Sequence, residues 1–186
     1  MVERTHPLAA LAANAADCPA AQLTVLPPAT RLIVRADTTS AASVGAALGV
    51  LLGSVPCRAV NARERAALWL GPDEWLVLAP EFESALAEHV TTANASVVDV
   101  SHRDTAIGIA GPRAAWCLNS FNMLDLDPGV FPVGACARTL FGKAQIVLWH
   151  TEPQAFHIEV ARSYAPYVWQ CLEQARRELV GGRVSA

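Results

Sequence analysis

The sequence predicts an α+β fold made of two split β-α-β halves. Three observations carry this: short apolar runs with period-2 alternation, helical stripes between them, and an order of strand, helix, strands, helix that occurs twice along 186 residues. A chain of that length suits one compact domain overall, built from halves that share a core. The expected divisions are an extended N-terminal arm at 1–30, a first half at 31–101, a second half at 102–180 and a tail at 181–186.

Residues 1–30 are rich in Ala and Pro and poor in large apolar side chains. With His6-Pro7-Leu8 near the start and Pro27-Pro28 near the end, they read as an arm that becomes ordered against a partner, with Leu8 as its apolar anchor. The run RLIVR at 31–35 reads as a strand. Asp37-Thr38-Thr39-Ser40 is a helix-start signal for a helix over 41–52. Gly45, Gly49 and Gly53, four apart, give that helix a smooth side for tight packing, although each interior glycine costs roughly 1 kcal/mol of helix stability.

Next, 67–70 and 75–79 flank Gly71-Pro72-Asp73-Glu74, so LWLGPDEWLVLAP reads as a β-hairpin with Trp69 and Trp75 as anchors. Pro80 opens an expected helix to 93, with Phe82, Leu86 and Val90 on one stripe, and 97–101 returns as a strand. Residues 97–111, VVDVSHRDTAIGIAG, form the joint between the halves. They give an apolar strand, a polar corner at His102-Arg103-Asp104, and a second strand whose positions Ala106, Gly108 and Ala110 are all small, so that another backbone can approach closely. Beyond it follow a helix at 113–119 after Gly111-Pro112, a loop at 121–134, strands at 136–141, 145–150 and 156–160, and a helix after Ser163 with Tyr164, Val168, Cys171, Leu172, Ala175 and Leu179 at helical spacing.

Composition narrows the function. A net charge of −3 and a pI near 5.9 leave no basic footprint for nucleic acid, and no stretch approaches the ~18 unbroken apolar residues of a membrane span. The N-terminal LAALAANAA lacks a signal-peptide profile, so the cytoplasm is the expected compartment. Charged residues make up 17% against the usual ~25%, which implies surface that another chain covers. The five cysteines, Cys18, Cys57, Cys117, Cys136 and Cys171, are odd in number and lack any CxxC spacing, so neither a disulfide framework nor a zinc knuckle is written here.

Several apparent catalytic motifs fail. Asp99, Ser101 and His102 are the residue types of a hydrolase triad, but strand neighbours alternate in direction and no G-x-S-x-G elbow surrounds the serine. An independent small hydrolase would rest on that coincidence alone. The corner spells HRD without the Asn of a kinase loop. His150 and His157 lack a third ligand, GxGxxG is absent, and Asp125 and Asp127 sit in a solvated loop before Pro128. Arg103, Arg138 and Arg162 stand at strand ends or corners, where they suit either anion binding or ion pairing at an interface. With Leu8, Trp69, Trp75 and Tyr164 they are the interface candidates; no residue qualifies as catalytic, cofactor-binding or metal-ligating.

The runs LWLGPDEWLVLAP, VVDVSHRDTAIGIAGPRAAWCLN, LDLDPGVFPVGACARTLFGKAQIVLWH and FHIEVARSYAPYVWQCLEQA, with the short His6-Pro7-Leu8, together resemble the gamma subunit of heterotetrameric sarcosine oxidase over roughly 69–175. The resemblance implies a fold akin to the folate-binding domain of aminomethyltransferases. It also implies a cytoplasmic complex of alpha, beta, gamma and delta subunits that oxidatively demethylates sarcosine to glycine, yielding hydrogen peroxide and formaldehyde or, with tetrahydrofolate, its methylene adduct. FAD, FMN, NAD and tetrahydrofolate would lie in alpha and beta and zinc in delta, with no cofactor in this chain. The alternative is a free-standing folate-binding protein related to the YgfZ group. That group's K-G-C-Y-x-G-Q-E signature would fall near 133–140, where VGACARTL keeps the Gly-x-Cys core and lacks the Tyr, Gln and Glu.

Overall fold

The computed structural model describes residues 6–80, 83–90 and 94–180. In chain order the elements begin with α1 (Ala9–Ala13), β1 (Gln22–Val25), β2 (Thr30–Ala36), α2 (Ala41–Leu48), β3 (Ala59–Ala62), β4 (Arg65–Gly71) and β5 (Glu74–Ala79). A 3-10 turn at Ser84–His89 leads to β6 (Ala95–Asp99), β7 (Asp104–Ala110), α3 (Ala114–Asn119), β8 (Cys136–Phe141), β9 (Ala144–Glu152), β10 (Ala155–Ala161) and α4 (Ala165–Val180). The architecture is α+β with two five-stranded sheets. The chain separates into two compact units: one draws its described residues from 6–26, 105–133 and 138–180, the other from 27–104 and 134–137.

In the 27–104 unit the strand order is β3-β4-β5-β2-β6, with every pairing antiparallel. Leu32 and Val34 of β2 alternate inward and Arg35 outward, where it pairs with Asp73 at 2.6 Å. The expected hairpin is β4–β5. Its register sets Trp69 opposite Trp75 and Gly71 opposite Glu74. Leu32, Val34, Val44, Leu48, Trp75, Val77 and Leu86 form the core of this unit.

α2 starts where the sequence signalled. Asp37 Oδ1 accepts from Ser40 N at 2.7 Å, Thr39 Oγ1 at 2.8 Å and Thr39 N at 3.1 Å, and the Thr39 and Ser40 bonds hold its carboxyl below the usual carboxylate range. The helix ends at Leu48 and not at 52. Gly49 takes φ 67°, and Gly49 N and Val50 N turn back onto the Ala46 and Gly45 carbonyls, a Schellman closure that left-handed glycine permits. The returning chain then lies on Gly45, where a Cβ would stand 2.8 Å from Val50 O. The glycine spacing therefore serves closure and packing within this unit. Arg65 reinforces the helix end by donating to Leu48 O at 2.8 Å while pairing with Glu83 at 2.7 Å.

The helix expected over 80–93 is, in its described part, only the 3-10 turn at Ser84–His89; Phe82 and residues 81 and 91–93 lie outside the described residues. Glu83 N is held by Thr30 Oγ1 at 2.9 Å and Val90 is extended, which confines the helical bonding to one short stretch. Leu86 still points into the core as the stripe required. β3 escaped the sequence reading because AVNA is too short to show alternation.

The other unit holds the sheet β1-β7-β10-β9-β8. Here the expected N-terminal arm needs correction. β1 pairs antiparallel with β7, setting Leu23 opposite Ile109 and Val25 opposite Ile107. Leu8 is 0% exposed, and Cys18 and Ala21 are also buried. In each sheet the strand preceding a helix (β2, β7) lies second from one edge, and β1 fills beside β7 the place that β6 fills beside β2. Without 22–25, β7 would be an apolar edge strand. Its small stripe was expected to admit another backbone; what covers Gly108 is the side chain of Leu26, whose Cδ2 would lie 3.2 Å from an added Cβ.

α3 and α4 appear where the periodicity put them. α4 buries Val168, Trp169, Cys171, Leu172 and Ala175 along one stripe. The tail at 181–186 lies outside the described residues.

Candidate functional site

The polar corner that the sequence singled out is a closed hydrogen-bonded turn. Asp99 Oδ1 accepts from Ser101 Oγ at 2.5 Å and from Ser101 N at 2.8 Å, while Ser101 Oγ accepts from Arg31 N at 2.9 Å. The serine bonds, led by its hydroxyl, keep the Asp99 carboxyl below the usual range. The serine hydroxyl thus donates straight to a carboxylate, with no imidazole between them to serve as base, which is incompatible with triad chemistry. His102 is exposed, and Arg103 forms a two-bonded ion pair with Asp104 at 3.0 and 3.1 Å. Ser101→Ala should cost about 1–3 kcal/mol, because the Arg31 N–H loses its acceptor. Urea unfolding measures this, and an unchanged midpoint would release the hydroxyl for some other role.

The His6-Pro7-Leu8 motif is a plug within the 105–180 unit. Leu8 N donates to His6 Nδ1 at 3.1 Å, which leaves the Nε2–H to donate to Thr105 Oγ1 at 2.8 Å. Leu8, expected to anchor on a partner, is spent on this unit's own core.

Two histidines mark the β9–β10 pair. His150 is buried; its Nδ1 donates to Phe131 O at 2.7 Å, its ring stacks on Phe156 at 4.3 Å, and its Nε2 meets no partner among the described residues. On the opposite face His157 lies across from Trp149 and bonds Glu159 at 2.7 Å. The faces differ because residues 150 and 157 are out of phase in the pairing register. Among the described residues no group of three or more His, Cys, Asp or Glu is placed to hold a metal, and no described helix is long and apolar enough to cross a membrane. Cys117 is buried, and that burial pushes its thiol up to about 11.

The remaining interface candidates divide by exposure. Trp75 is buried, with Nε1 donating to Gly53 O at 2.8 Å, so it is a core anchor; Trp69 packs half-buried beside it. Arg103, Arg138, Arg162 and Tyr164 are exposed. Arg138 shares the outward face of the edge strand β8 with Leu140, which is 59% exposed. Asn122 Nδ2 donates to Leu140 O at 3.1 Å, and Asn122 bridges to Phe141, which ties the start of the following loop to β8; Met123 in that loop is 98% exposed. The 123–130 loop is held by local bonds: Leu124 N to Asn122 Oδ1, Asp127 N to Asp125 Oδ1 and Gly129 N to Asp127 Oδ1. Met123, Val130 and Leu140 are absent from the sequence-based candidates; for Met123 and Val130, large apolar residues in a Pro-, Asp- and Gly-rich loop were the available signal.

The 123–130 loop and the outer face of β8 therefore offer a partly apolar surface held by local hydrogen bonds. The model of the sarcosine oxidase, gamma subunit family matches residues 34–178. The chain belongs to that family. The gamma subunit of Corynebacterium sp. (strain P-1) is 31% identical over 141 residues, covering 74% of this chain and 66% of that relative. The gamma subunit of an Arthrobacter species is 34% identical over 136 residues, covering 70% and 67%. Among solved structures, the heterotetrameric sarcosine oxidase from Corynebacterium sp. U-96 in complex with pyrrole 2-carboxylate contains a chain that superposes with a TM-score of 0.86 at 30% identity, over 94% of this chain and 95% of that one. The aminomethyltransferase T of the glycine cleavage system from Bartonella henselae matches with a TM-score of 0.61 at 14% identity, over 83% of this chain and 46% of that one. The latter likeness shows the fold alone, and it is the fold that the resemblance implied. Membership of the gamma subunit family likewise agrees with the sequence motifs.

Proposed function

We propose that this chain serves as the small structural subunit of a cytoplasmic sarcosine oxidase complex, joining alpha, beta and delta partners and contributing no active site of its own. The complex would demethylate sarcosine oxidatively to glycine, releasing hydrogen peroxide and formaldehyde or methylene-tetrahydrofolate. FAD, FMN, NAD, tetrahydrofolate and zinc would all reside in the partners. The observation that carries this reading is the superposition with a chain of a heterotetrameric sarcosine oxidase along nearly the full length of both chains.

The assembly surface in this reading includes the exposed Met123 and Leu140 with Arg138 alongside, since rigid apolar side chains in water gain most from burial against another protein. Co-expression of the tagged chain with the candidate alpha, beta and delta subunits, followed by affinity purification and size-exclusion chromatography, tests it. Co-elution of all four is expected. Met123→Asp with Leu140→Asp should keep the circular dichroism and unfolding midpoint of the parent and weaken co-elution by tenfold or more, a loss of about 1.4 kcal/mol or greater. A chain that stays monomeric among its partners and binds tetrahydrofolate alone would support the free-standing folate binder instead.

A further inference from the structure

We infer that Cys57 and Cys136 form a thiol pair that closes to an intrachain disulfide on reaction with a hydroperoxide. Arg58 and Ala135 form an antiparallel bridge, flanked by bonds from Ala59 N to Gly134 O and from Cys136 N to Cys57 O, both 2.9 Å. The Cys136 N to Cys57 O bond makes the two residues direct neighbours at the end of that bridge, and facing Cα atoms joined in this way in a regular antiparallel pair stand roughly 5.5 Å apart. A disulfide requires about 4.4–6.8 Å. Both residues fall in the same compact unit.

The two thiols differ as an attacking and a resolving group do. Cys57 is exposed, whereas Cys18, Cys117, Cys136 and Cys171 are buried. The backbone at Cys57 is left-handed, with φ 55°, a conformation that a non-glycine residue keeps only where its surroundings impose it. Cys136 Sγ lies 3.6 Å from Trp69 O. Burial pushes the Cys136 thiol up to about 12, the Trp69 bond opposing the rise and the neighbouring Cys57 charge adding to it. Peroxide therefore meets Cys57 first.

The chemistry balances without a further reagent. The Cys57 thiolate attacks one peroxide oxygen and the O–O bond breaks; two electrons pass from sulfur to the peroxide, which leaves as an alcohol, or as water from hydrogen peroxide. Cys57 is then a sulfenic acid. The Cys136 thiol attacks that sulfur, the S–S bond forms, the S–O bond breaks, and the departing hydroxide takes the thiol proton as water. The inference stands on the bridge geometry and holds whether or not the proposed oxidase activity does.

The test uses the full-length chain, reduced and then treated with a few equivalents of hydrogen peroxide, followed by alkylation, intact mass and peptide mapping. Expected are a mass lower by two hydrogen atoms, a linked pair of peptides carrying Cys57 and Cys136, and reversal by dithiothreitol. Cys57→Ser, an exposed change that spares the core, should abolish the linkage, and Cys136→Ser should leave a dimedone-reactive sulfenic acid at Cys57. Complete alkylation of both thiols after peroxide, sulfinic acid at Cys57 without linkage, or a bond to any other cysteine would overturn it. Should Cys136→Ser fail to fold, the wild-type map and Cys57→Ser decide the matter.

Discussion

Leu8→Ala lowers stability by about 2–5 kcal/mol in urea unfolding, the range for deleting a fully buried leucine side chain. The size follows from the position of Leu8. Its side chain is completely buried, its N–H donates to His6 Nδ1, and its carbonyl accepts from Ala12 N at 2.8 Å, so the backbone is fixed and cannot collapse into the vacated space. Removing residues 1–26 is more severe. It strips β1 from β7, uncovers the face where Leu23 meets Ile109, and takes Leu8, Cys18 and Ala21 out of one core together. The exposed β7 edge would be apolar and long enough to template aggregation. The truncated chain should therefore be insoluble or lack a cooperative transition. A soluble truncated chain with the parent's midpoint, or a Leu8→Ala shift within 0.5 kcal/mol, would restore the view of 1–30 as a detachable arm.

What the sequence disclosed depended on how far apart the interacting residues lie. The β4–β5 hairpin was readable because Gly71-Pro72-Asp73-Glu74 carries its own turn chemistry, and α4 because six apolar positions repeat at helical spacing within one segment. The small stripe of β7 announced a close neighbour without naming Leu26. By contrast, His6 meets Thr105 across 99 positions and Arg176 meets Ala16 across 160. Nothing local in QLTV marks it as the strand that completes a sheet. The end of α2 was misjudged because Gly49 fits a helix interior poorly but also fits a helix end well, and only the returning chain at Val50 decides between them.

The candidate site was legible in its failures and less so in its surface. Asp99 and Ser101, rejected as triad members, do bond each other, though to build a turn. Leu8 and Trp75 were read as interface anchors and lie in cores, while Met123 and Leu140, without periodicity, are exposed. A large apolar residue suits a core and an interface for the same reason, the removal of area from water, so its type alone does not separate them.

Arg176→Ala should cost about 3–5 kcal/mol, because it breaks a buried ion pair from one side. Arg176 is 2% exposed; one guanidinium nitrogen bonds the Glu173 carboxylate and another donates to Ala16 O at 2.5 Å. Its Nε meets no partner among the described residues, so the burial is imperfectly compensated even in the parent. Truncation leaves Glu173, whose side chain is 15% exposed, without this cation and the Ala16 carbonyl without that donor. Replacing both charges, Arg176→Met with Glu173→Leu, should recover most of the loss, since an apolar pair of similar volume avoids the desolvation that both ions suffer. Equilibrium urea unfolding of the two single variants and the pair measures the coupling. A single variant within 1 kcal/mol of the parent, or a double variant no more stable than Arg176→Ala, would refute the account. Because Ala16 belongs to the same N-terminal segment as Leu8, Arg176→Ala and Leu8→Ala should also combine to less than their sum: once either anchor is gone, the segment has less ordered structure left for the second to lose.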